Sequence, residues 1–278
     1  MQDDFSTETF WKDFVSYKED FVPEDFSIDK VHIFDSIDST NSELLRRLEN
    51  ARDVNDLSKT LVSASSQSAG RGRVGRKFYS PDKTGIYFSF VHIPGTKDFN
   101  PAAITASASV AVSRAIEKVF GVETKIKWVN DVYVGEKKVS GILAEGFSGQ
   151  SGFVQAVVIG IGINIVMGSC DADIGKAGGI ISADALEYSP STYRSKLLAA
   201  CMKELFFILD TNQDFIDEYR EKSFLKNKIV KVSPLAGNES GSYEAKVLDI
   251  TDSACLLVQM ADGTKKELSS GEVTLHQL

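Results

Sequence analysis

The sequence pattern changes near Lys228, and this change constrains the fold more than any other feature of the chain. Before it, short apolar segments of strand composition alternate with longer segments of helical spacing. After it, strand-like segments recur about every ten residues, separated by turns that contain Gly or Asp. The pattern predicts an α+β fold in which a mixed-sheet domain is followed by a small β-barrel.

Local signals place the individual elements. Asp38–Asn41 can cap one helix, and Gly121 can end an Ala/Val-rich helix that begins at Pro101. Two further helices are predicted over 197–209 and 214–221. Strands are predicted over 31–34, 60–64, 85–91, 125–128, 139–145, 153–161, 229–232, 243–250, 254–259, 265–268 and 273–275.

The first 30 residues carry nine acidic side chains against three lysines. Ser6 or Thr7 can cap a helix there, and aromatic residues recur at helical spacing at Phe10, Trp11, Phe14 and Phe21. We therefore expect an acidic helical extension over 1–30 that packs on the main domain. Because a helix-turn-helix module needs a basic face, we expect no DNA-binding domain in this segment.

Composition narrows the class of protein. The 278 residues have a net charge of -8, whereas proteins that bind long polyanions usually have a basic surface. The three cysteines, Cys170, Cys201 and Cys255, are widely separated, which fits reduced thiols in the cytoplasm. The N-terminus lacks the features of a signal peptide, and we expect no membrane span.

Three arginines alternate with three glycines in the run Gly70–Arg76. Glycine lets a backbone approach a ligand closely, and each arginine offers a permanent charge with a planar set of donors. The run therefore favours a loop that wraps a small anion such as a nucleotide phosphate. Disordered nucleic-acid-binding segments also contain Arg/Gly repeats, and this alternative is opposed by the acidic composition.

Three other motifs carry polar groups at predicted strand ends. Lys127–Asp131 combines a lysine, an amide and a carboxylate, and strand alternation would place Lys127 and Val129 on one face. Taken alone, this motif favours a solvated strand end with a turn-forming Asn-Asp. Gly141 interrupts a strand, which indicates close approach of a ligand or backbone. Gly160–Asn164 lacks the third glycine of a dinucleotide-binding fingerprint.

Taken together, the motifs resemble those of the biotin protein ligases, also called biotin–[acetyl-CoA-carboxylase] ligases, from about Val31 onward. The matching segments are Asp38–Asn41, Gln67–Arg76 with Phe78–Pro81, Lys127–Asp131, Lys138–Leu143 and Gly160–Asn164. Two departures are Val129, where the family commonly has proline, and Phe78, where it often has tryptophan. The resemblance implies a catalytic domain of the biotin/lipoate ligase type over 31–226 and an SH3-like β-barrel over 227–278, in a form without an N-terminal DNA-binding domain.

The resemblance also implies a two-step reaction. Biotin and ATP give biotinyl-5′-AMP and pyrophosphate, and the acyl group then passes to a lysine of a biotin carboxyl carrier domain. Lys127, Arg71 and Arg73 are implied as catalytic residues. Biotin-binding residues are implied at Ser39, Thr40, Asn41, Gln67, Gly70, Arg71, Gly72, Arg73, Lys127 and Gly141. ATP or adenylate contacts are implied at Arg73, Arg76, Phe78, Asn130, Lys138 and Asn164, with Asp131 assisting Mg²⁺.

Further expectations accompany this resemblance. The Gly/Arg loop would close over the adenylate and shield it from water, and a second mobile, glycine-rich segment is expected over 167–179. A homodimer through sheet edges is compatible with the family, and DNA is not expected as a partner. Two alternatives stay open: a lipoate–protein ligase with related chemistry and fold, and a nucleic-acid-binding repressor that uses the arginine loop.

Overall fold

Two β-sheets organise the chain. The computed structural model describes residues 5–17, 21–95, 100–166, 177–182, 190–211, 213–233 and 241–275. The first sheet has seven strands in the order β1-β2-β3-β7-β6-β5-β4, with β1 and β2 parallel and the other neighbours antiparallel. Its strands are β1 (Val31–Ile37), β2 (Leu61–Gln67), β3 (Gly85–His92), β4 (Lys125–Lys127), β5 (Asp131–Val134), β6 (Lys137–Phe147) and β7 (Ala156–Asn164).

Helices cover both faces of this sheet. The helices are α1 (Thr7–Ser16), α2 (Thr40–Asn50), α3 (Pro101–Phe120), α4 (Pro190–Thr211) and α5 (Ile216–Lys222). Alanine and valine side chains of α3 pack with α4 and the sheet in the main core. On the other face, α2 buries Leu44 and Leu48 against Val62 and Val158 in a smaller core. The mixed α+β class predicted from the sequence is confirmed.

The second sheet has five antiparallel strands in the order β11-β10-β9-β8-β12. They are β8 (Ile229–Ser233), β9 (Tyr243–Ile250), β10 (Leu256–Met260), β11 (Lys265–Leu268) and β12 (Glu272–Leu275). Hydrogen bonds connect this sheet's turns to the rest of the chain: for example, Trp128 Nε1 donates to Ala254 O at 2.9 Å, and Asn100 Nδ2 donates to Ser253 O at 3.0 Å. The SH3-like closure and the domain boundaries stay predictions.

Most predicted elements are present, with different bounds. The helix over 101–120 is confirmed with both of its ends, because Asn100 caps its first N–H groups and Gly121 adopts a left-handed φ of 65°. The helix predicted over 197–209 begins seven residues earlier, at Pro190. The predicted strand over 153–161 is wrong at both ends, and β5 was not predicted.

Some sequence expectations fall outside the described residues, namely Cys170 and residues 167–176 of the segment expected to be mobile. No helix in the described part of the chain is long and apolar enough to cross a membrane.

The N-terminal helix α1 packs into the main core. Ser6 caps it as expected, and Phe10 and Phe14 are fully buried. The Phe14 ring contacts Phe26 and Phe206, and the Lys203 ammonium lies 4.3 Å from the Phe14 ring centroid. Because the helix ends at Ser16, Phe21 does not share this face. The acidic extension therefore buries one aromatic face against α4.

We predict that Phe14→Ala destabilises the whole protein by about 3–5 kcal/mol, because it empties a buried aromatic site. The matched control is Val15→Ala, since Val15 is 48% exposed on the same helix and should change stability by less than about 0.5 kcal/mol. Denaturant unfolding measures both. If Phe14→Ala lowered the free energy of unfolding as little as Val15→Ala, α1 would not unfold together with the main core.

Candidate active site

Most of the predicted site residues meet at one cleft beside the first sheet. Fourteen of the sixteen line it: Ser39, Thr40, Asn41, Gln67, Arg71, Gly72, Arg73, Arg76, Phe78, Lys127, Asn130, Asp131, Lys138 and Gly141. The other two, Gly70 and Asn164, are not among the lining residues. Four segments of the sequence therefore supply these residues to one cavity, and its chemistry follows from how each segment is held.

The N-terminus of α2 supplies three buried polar residues, Ser39, Thr40 and Asn41, which together with Gln67 form what we call the polar cradle. Ser39 caps the helix by accepting a hydrogen bond from Ser42 N. Gln67, at the end of β2, accepts hydrogen bonds through Oε1 from Thr40 N at 2.9 Å and from Thr40 Oγ1 at 3.2 Å, and its Nε2 donates to Ser80 Oγ at 2.8 Å. The Thr40, Gln67 and Ser80 side chains thus form one hydrogen-bonded group in the cleft.

Asn41 is buried and is held by side chains of β3 and β6. Ser89 Oγ lies 2.5 Å from Asn41 Oδ1, and Asn41 Nδ2 donates to Glu145 Oε2 at 2.8 Å. A Cβ at Gly160 would lie 1.9 Å from Asn41 Oδ1, so the strand must have glycine there. One glycine of the Gly160–Asn164 motif is therefore explained by close approach of a side chain.

The charge of Asp38 helps to fix the start of α2. Its side-chain hydrogen bonds with Arg46, at 2.7 and 3.0 Å, lower the pKa of the Asp38 carboxyl to about 2. The carboxylate also accepts a hydrogen bond from Ser39 N at 2.7 Å. Asp38 is therefore charged at neutral pH and holds the residue that precedes the cradle.

The Gly/Arg run forms a hairpin-like loop. Arg71 pairs with Lys77, Gly72 N donates to Arg76 O at 2.7 Å, and Val74 and Gly75 turn the chain at φ 57° and 71°. Gly70 supports the loop from its base: Phe78 N donates to Gly70 O at 2.9 Å, and a Cβ there would lie 2.4 Å from Phe78 O.

Two arginines of the loop, Arg71 and Arg73, contact the walls of the cleft. Arg71 Nη2 donates to Glu145 Oε1 at 2.6 Å. Arg73 Nη1 donates to Asn130 Oδ1 at 3.1 Å, and its Nη2 donates to Gly271 O at 3.2 Å. The loop is thus connected to β6, to the Lys127–Asp131 motif and to the second sheet.

The Lys127–Asp131 motif is a turn between β4 and β5. The predicted alternation is wrong, because β4 ends at Lys127 and the following residues turn. Trp128 and Val129 are both buried, while Lys127 and Asn130 both line the cleft. Asn130 Nδ2 donates to Ile142 O at 3.0 Å, which fixes the amide against β6.

Val129 anchors the turn through its carbonyl. Tyr219 of α5 donates its hydroxyl to Val129 O at 2.9 Å. Burial raises the pKa of Tyr219, so the phenol stays protonated and remains a donor. Hydrogen bonds with α5 and with β6 therefore both hold the turn in place.

Asp131 was predicted as a metal ligand, and the structure pairs it with a cation of the protein. Lys138 Nζ lies 2.6 Å from Asp131 Oδ1. Among the described residues, no group of three or more His, Cys, Asp or Glu side chains could hold a metal ion. One carboxylate already paired with lysine does not make a protein-held Mg²⁺ site, which needs open oxygen ligands. The role of Asp131 toward a metal stays a prediction.

Phe78 lies flat against two strand glycines. Added Cβ atoms at Gly162 and Gly141 would lie 2.3 Å and 3.3 Å from its ring. The ring thereby forms one wall of the cleft, next to the end of the Gly/Arg loop. The second glycine of the Gly160–Asn164 motif serves this contact.

The sequence reasoning missed part of the lining. The unpredicted lining residues are Lys77, Trp128, Ile142, Leu143, Gly160, Ile161, Gly162, Gly271, Val273 and Thr274. The last three come from the second sheet, which no motif links to the cleft. Asn164 ends β7, and its carbonyl accepts a hydrogen bond from Ile180 N at 3.1 Å.

The cleft is strongly cationic. Its described lining includes six cationic side chains, Arg71, Arg73, Arg76, Lys77, Lys127 and Lys138, and one carboxylate, that of Asp131. The whole chain has a net charge of -8. Positive charge concentrated in a concave site of an acidic protein favours a small anionic ligand.

Known proteins are similar to this chain in sequence. Residues 33–164 match the model of the Biotin/lipoate A/B protein ligase family. The chain is 30% identical to the bifunctional ligase/repressor BirA of Bacillus spizizenii over 76% of its own length, and it spans 65% of that relative. It is 26% identical to the biotin–[acetyl-CoA-carboxylase] ligase of Mycobacterium tuberculosis, covering 84% of this chain and 85% of the relative.

A solved structure agrees with these matches. The biotin protein ligase from Aquifex aeolicus in complex with biotin and ATP superimposes with a TM-score of 0.69 and 26% identity, over 89% of this chain and 99% of that one. Residues 33–164 therefore form a domain of the Biotin/lipoate A/B protein ligase family, as the motifs predict, and the α+β fold is confirmed.

We predict that Gly162→Ala displaces the Phe78 ring, because the new Cβ would overlap it, and destabilises the protein by about 1–3 kcal/mol. In a double-mutant cycle measured by denaturant unfolding, the penalty should shrink when Phe78→Ala is also present. Gly95→Ala is the control, since nothing lies within 4 Å of its added Cβ. Strict additivity of the Gly162 and Phe78 changes would contradict the contact.

Proposed function

We propose, because residues 33–164 form a domain of the Biotin/lipoate A/B protein ligase family, that this chain is an ATP-dependent biotin protein ligase. It activates biotin as biotinyl-5′-AMP and transfers the biotinyl group to a lysine of a biotin carboxyl carrier domain. The observation that carries the proposal is the buried polar cradle of α2 beside a cleft with six cationic side chains.

The cradle supports biotin as the acyl substrate. Ser39, Thr40 and Asn41 are buried, and with Gln67 they present hydrogen-bonding groups at the floor of the cleft. The ureido ring of biotin has a carbonyl and two N–H groups that can pair with them. Lipoate has an apolar dithiolane ring that offers the cradle no hydrogen bond, so the polar lining favours biotin.

The cations support the first chemical step. The biotin carboxylate attacks the α-phosphorus of ATP, a new C–O–P linkage forms, and pyrophosphate leaves with the bonding electrons. Negative charge grows on the α-phosphate oxygens, where fixed cations stabilise the transition state. Lys127 is our candidate for contact with both the carboxylate and the α-phosphate, and Arg71 and Arg73 are our candidates for the phosphate.

The remaining predicted residues fit the nucleotide side of the cleft. Arg76, Lys138 and Asn130 offer donors to phosphate and adenosine, and Phe78 offers an aromatic face. The proposed nucleotide role of Asn164 has less support, because this residue is outside the lining of the cleft. Mg²⁺ would reach the site with ATP.

The second step requires protection from water. The carrier lysine, as a free amine, attacks the acyl carbonyl of biotinyl-5′-AMP, an amide forms, AMP leaves, and the ammonium proton is lost. Because the mixed anhydride also reacts with water, the Gly/Arg loop must stay closed until the carrier arrives. A biotin carboxyl carrier domain is the proposed partner, and a cytoplasmic location, a homodimer and the absence of DNA binding stay predictions.

A pyrophosphate-release assay tests the substrate. The purified chain is supplied with ATP·Mg²⁺ and either biotin or lipoate. We expect pyrophosphate release and formation of biotinyl-5′-AMP with biotin, and background rates with lipoate. Turnover with lipoate but not with biotin would overturn the proposal in favour of a lipoate ligase.

We predict that Lys127→Ala slows adenylation by about 10²–10³-fold, the usual loss when one group that stabilises a transition-state charge is removed. Transfer from supplied biotinyl-5′-AMP to a carrier domain should fall much less. Single-turnover rates for each step measure this split.

The control for this variant is Lys125→Ala, which removes an exposed lysine of the same strand β4 and should leave both steps unchanged. Wild-type adenylation by a folded Lys127→Ala protein would remove Lys127 from the mechanism.

A further inference from the structure

Glu145 connects the polar cradle to the Gly/Arg loop. It lies in β6, beyond the part that pairs with β5, and its side chain is 22% exposed. Its two carboxylate oxygens are used by different parts of the site: Oε2 accepts from Asn41 Nδ2 at 2.8 Å, and Oε1 accepts from Arg71 Nη2 at 2.6 Å. One rigid strand residue therefore bonds to the cradle with one oxygen and to the loop with the other.

The cradle end of this connection is made by close polar contacts. Ser89 Oγ lies 2.5 Å from Asn41 Oδ1 and 2.7 Å from Thr40 Oγ1, and the Asn41 amide occupies the space that a Cβ at Gly160 would need. With Asn41 Oδ1 facing Ser89, the amide nitrogen must face Glu145. A ligand that fixes the cradle thus also fixes the orientation of the Glu145 carboxylate.

The loop end is more open. The Arg71 side chain is 43% exposed, and its contact with Ser42 Oγ is long, at 3.5 Å. Arg71 lines the cleft, so its guanidinium can contact a phosphate with other N–H groups while one stays on Glu145. The ion pair with Glu145 therefore determines where the loop cation lies when the nucleotide arrives.

We propose that Glu145 is a positioning residue that couples occupancy of the biotin cradle to nucleotide binding by the Gly/Arg loop. The inference rests on the proposed function. Biotin in the cradle orders Asn41 and, through Glu145, holds Arg71 in the cleft, so that ATP binds to a loop whose ordering cost is already met. By thermodynamic reciprocity, nucleotide must tighten biotin by the same factor.

Equilibrium binding measures this coupling. The Kd of biotin is determined with and without a saturating non-hydrolysable ATP analogue, and the Kd of the analogue with and without biotin. For the wild type we expect each ligand to tighten the other by about 5-fold or more. Glu145→Gln has one acceptor oxygen in place of two, so it loses one of the two bonds, and the coupling factor should fall toward 1.

Two further variants test whether the coupling depends on Glu145 contacting both Asn41 and Arg71, or only on its charge or on the stability of the protein. Glu145→Asp keeps the charge but is one methylene too short to reach both partners, so it should lose coupling as Glu145→Gln does. Glu136→Gln is the matched control, because it makes the same chemical change at an exposed position just before β6, and it should keep the wild-type factor. Thermal unfolding confirms that each variant is folded.

The outcomes separate this inference from the proposed function. Loss of coupling in both Glu145 variants, with Glu136→Gln unchanged, supports the connection. Wild-type coupling in a folded Glu145→Gln or Glu145→Asp protein overturns it, and so does a wild type that binds both ligands without coupling. A wild type that binds neither biotin nor the analogue refutes the proposed function itself.

Discussion

The close approach of α2 to β7 at Asn41 is the contact on which the rest of the site depends. Gly160 has no Cβ, and the Asn41 amide occupies the space that a Cβ would need. This contact brings the N-terminus of α2 down onto the sheet, where Thr40 meets Gln67 and Asn41 meets Ser89 and Glu145. A side chain at position 160 would lift the helix and separate the cradle from the arginine loop.

The cradle and the loop differ in charge and in how that charge is balanced. The cradle is buried and neutral, so each of its polar groups is held by a neighbouring donor or acceptor, as burial requires. The loop and the Lys127–Asp131 turn bring six cations into one cleft, which is costly without an anion to balance them. Glu145 and Asp131 each engage one of these cations, Arg71 and Lys138. Such pairs keep the cleft stable, and phosphate oxygens can replace or join the carboxylates.

The sequence predicted what local chemistry determines. The end of α3 followed from Gly121, and all the cationic residues of the cleft except Lys77 followed from motifs whose spacing is itself local. Elements without a strong local signal were missed or misplaced. Strand β5 has four residues between a turn and Gly135, and the first turns of α4 carry polar and buried charged residues such as Arg194 in place of an apolar stripe.

Long-range partners could not be predicted in the same way. Glu145 meets Asn41 across 104 residues, and Gly271 meets Arg73 across 198. No local pattern marks a glutamate in mid-strand or a carbonyl in a turn as part of a site. Their roles depend on strand register and on how the second sheet packs, which tertiary structure alone determines.

The second sheet explains how a glycine-rich loop can hold a defined position. Glycines give the loop freedom at its base and tip, and that freedom must be offset by contacts made elsewhere. Arg73 supplies them by reaching Asn130 on one side and the Gly271 carbonyl on the other. Both partners are neutral oxygens, which a phosphate can outcompete for a guanidinium. Arg73 can therefore leave these partners for a nucleotide, and the second sheet serves as a support for the loop as well as a wall of the cleft.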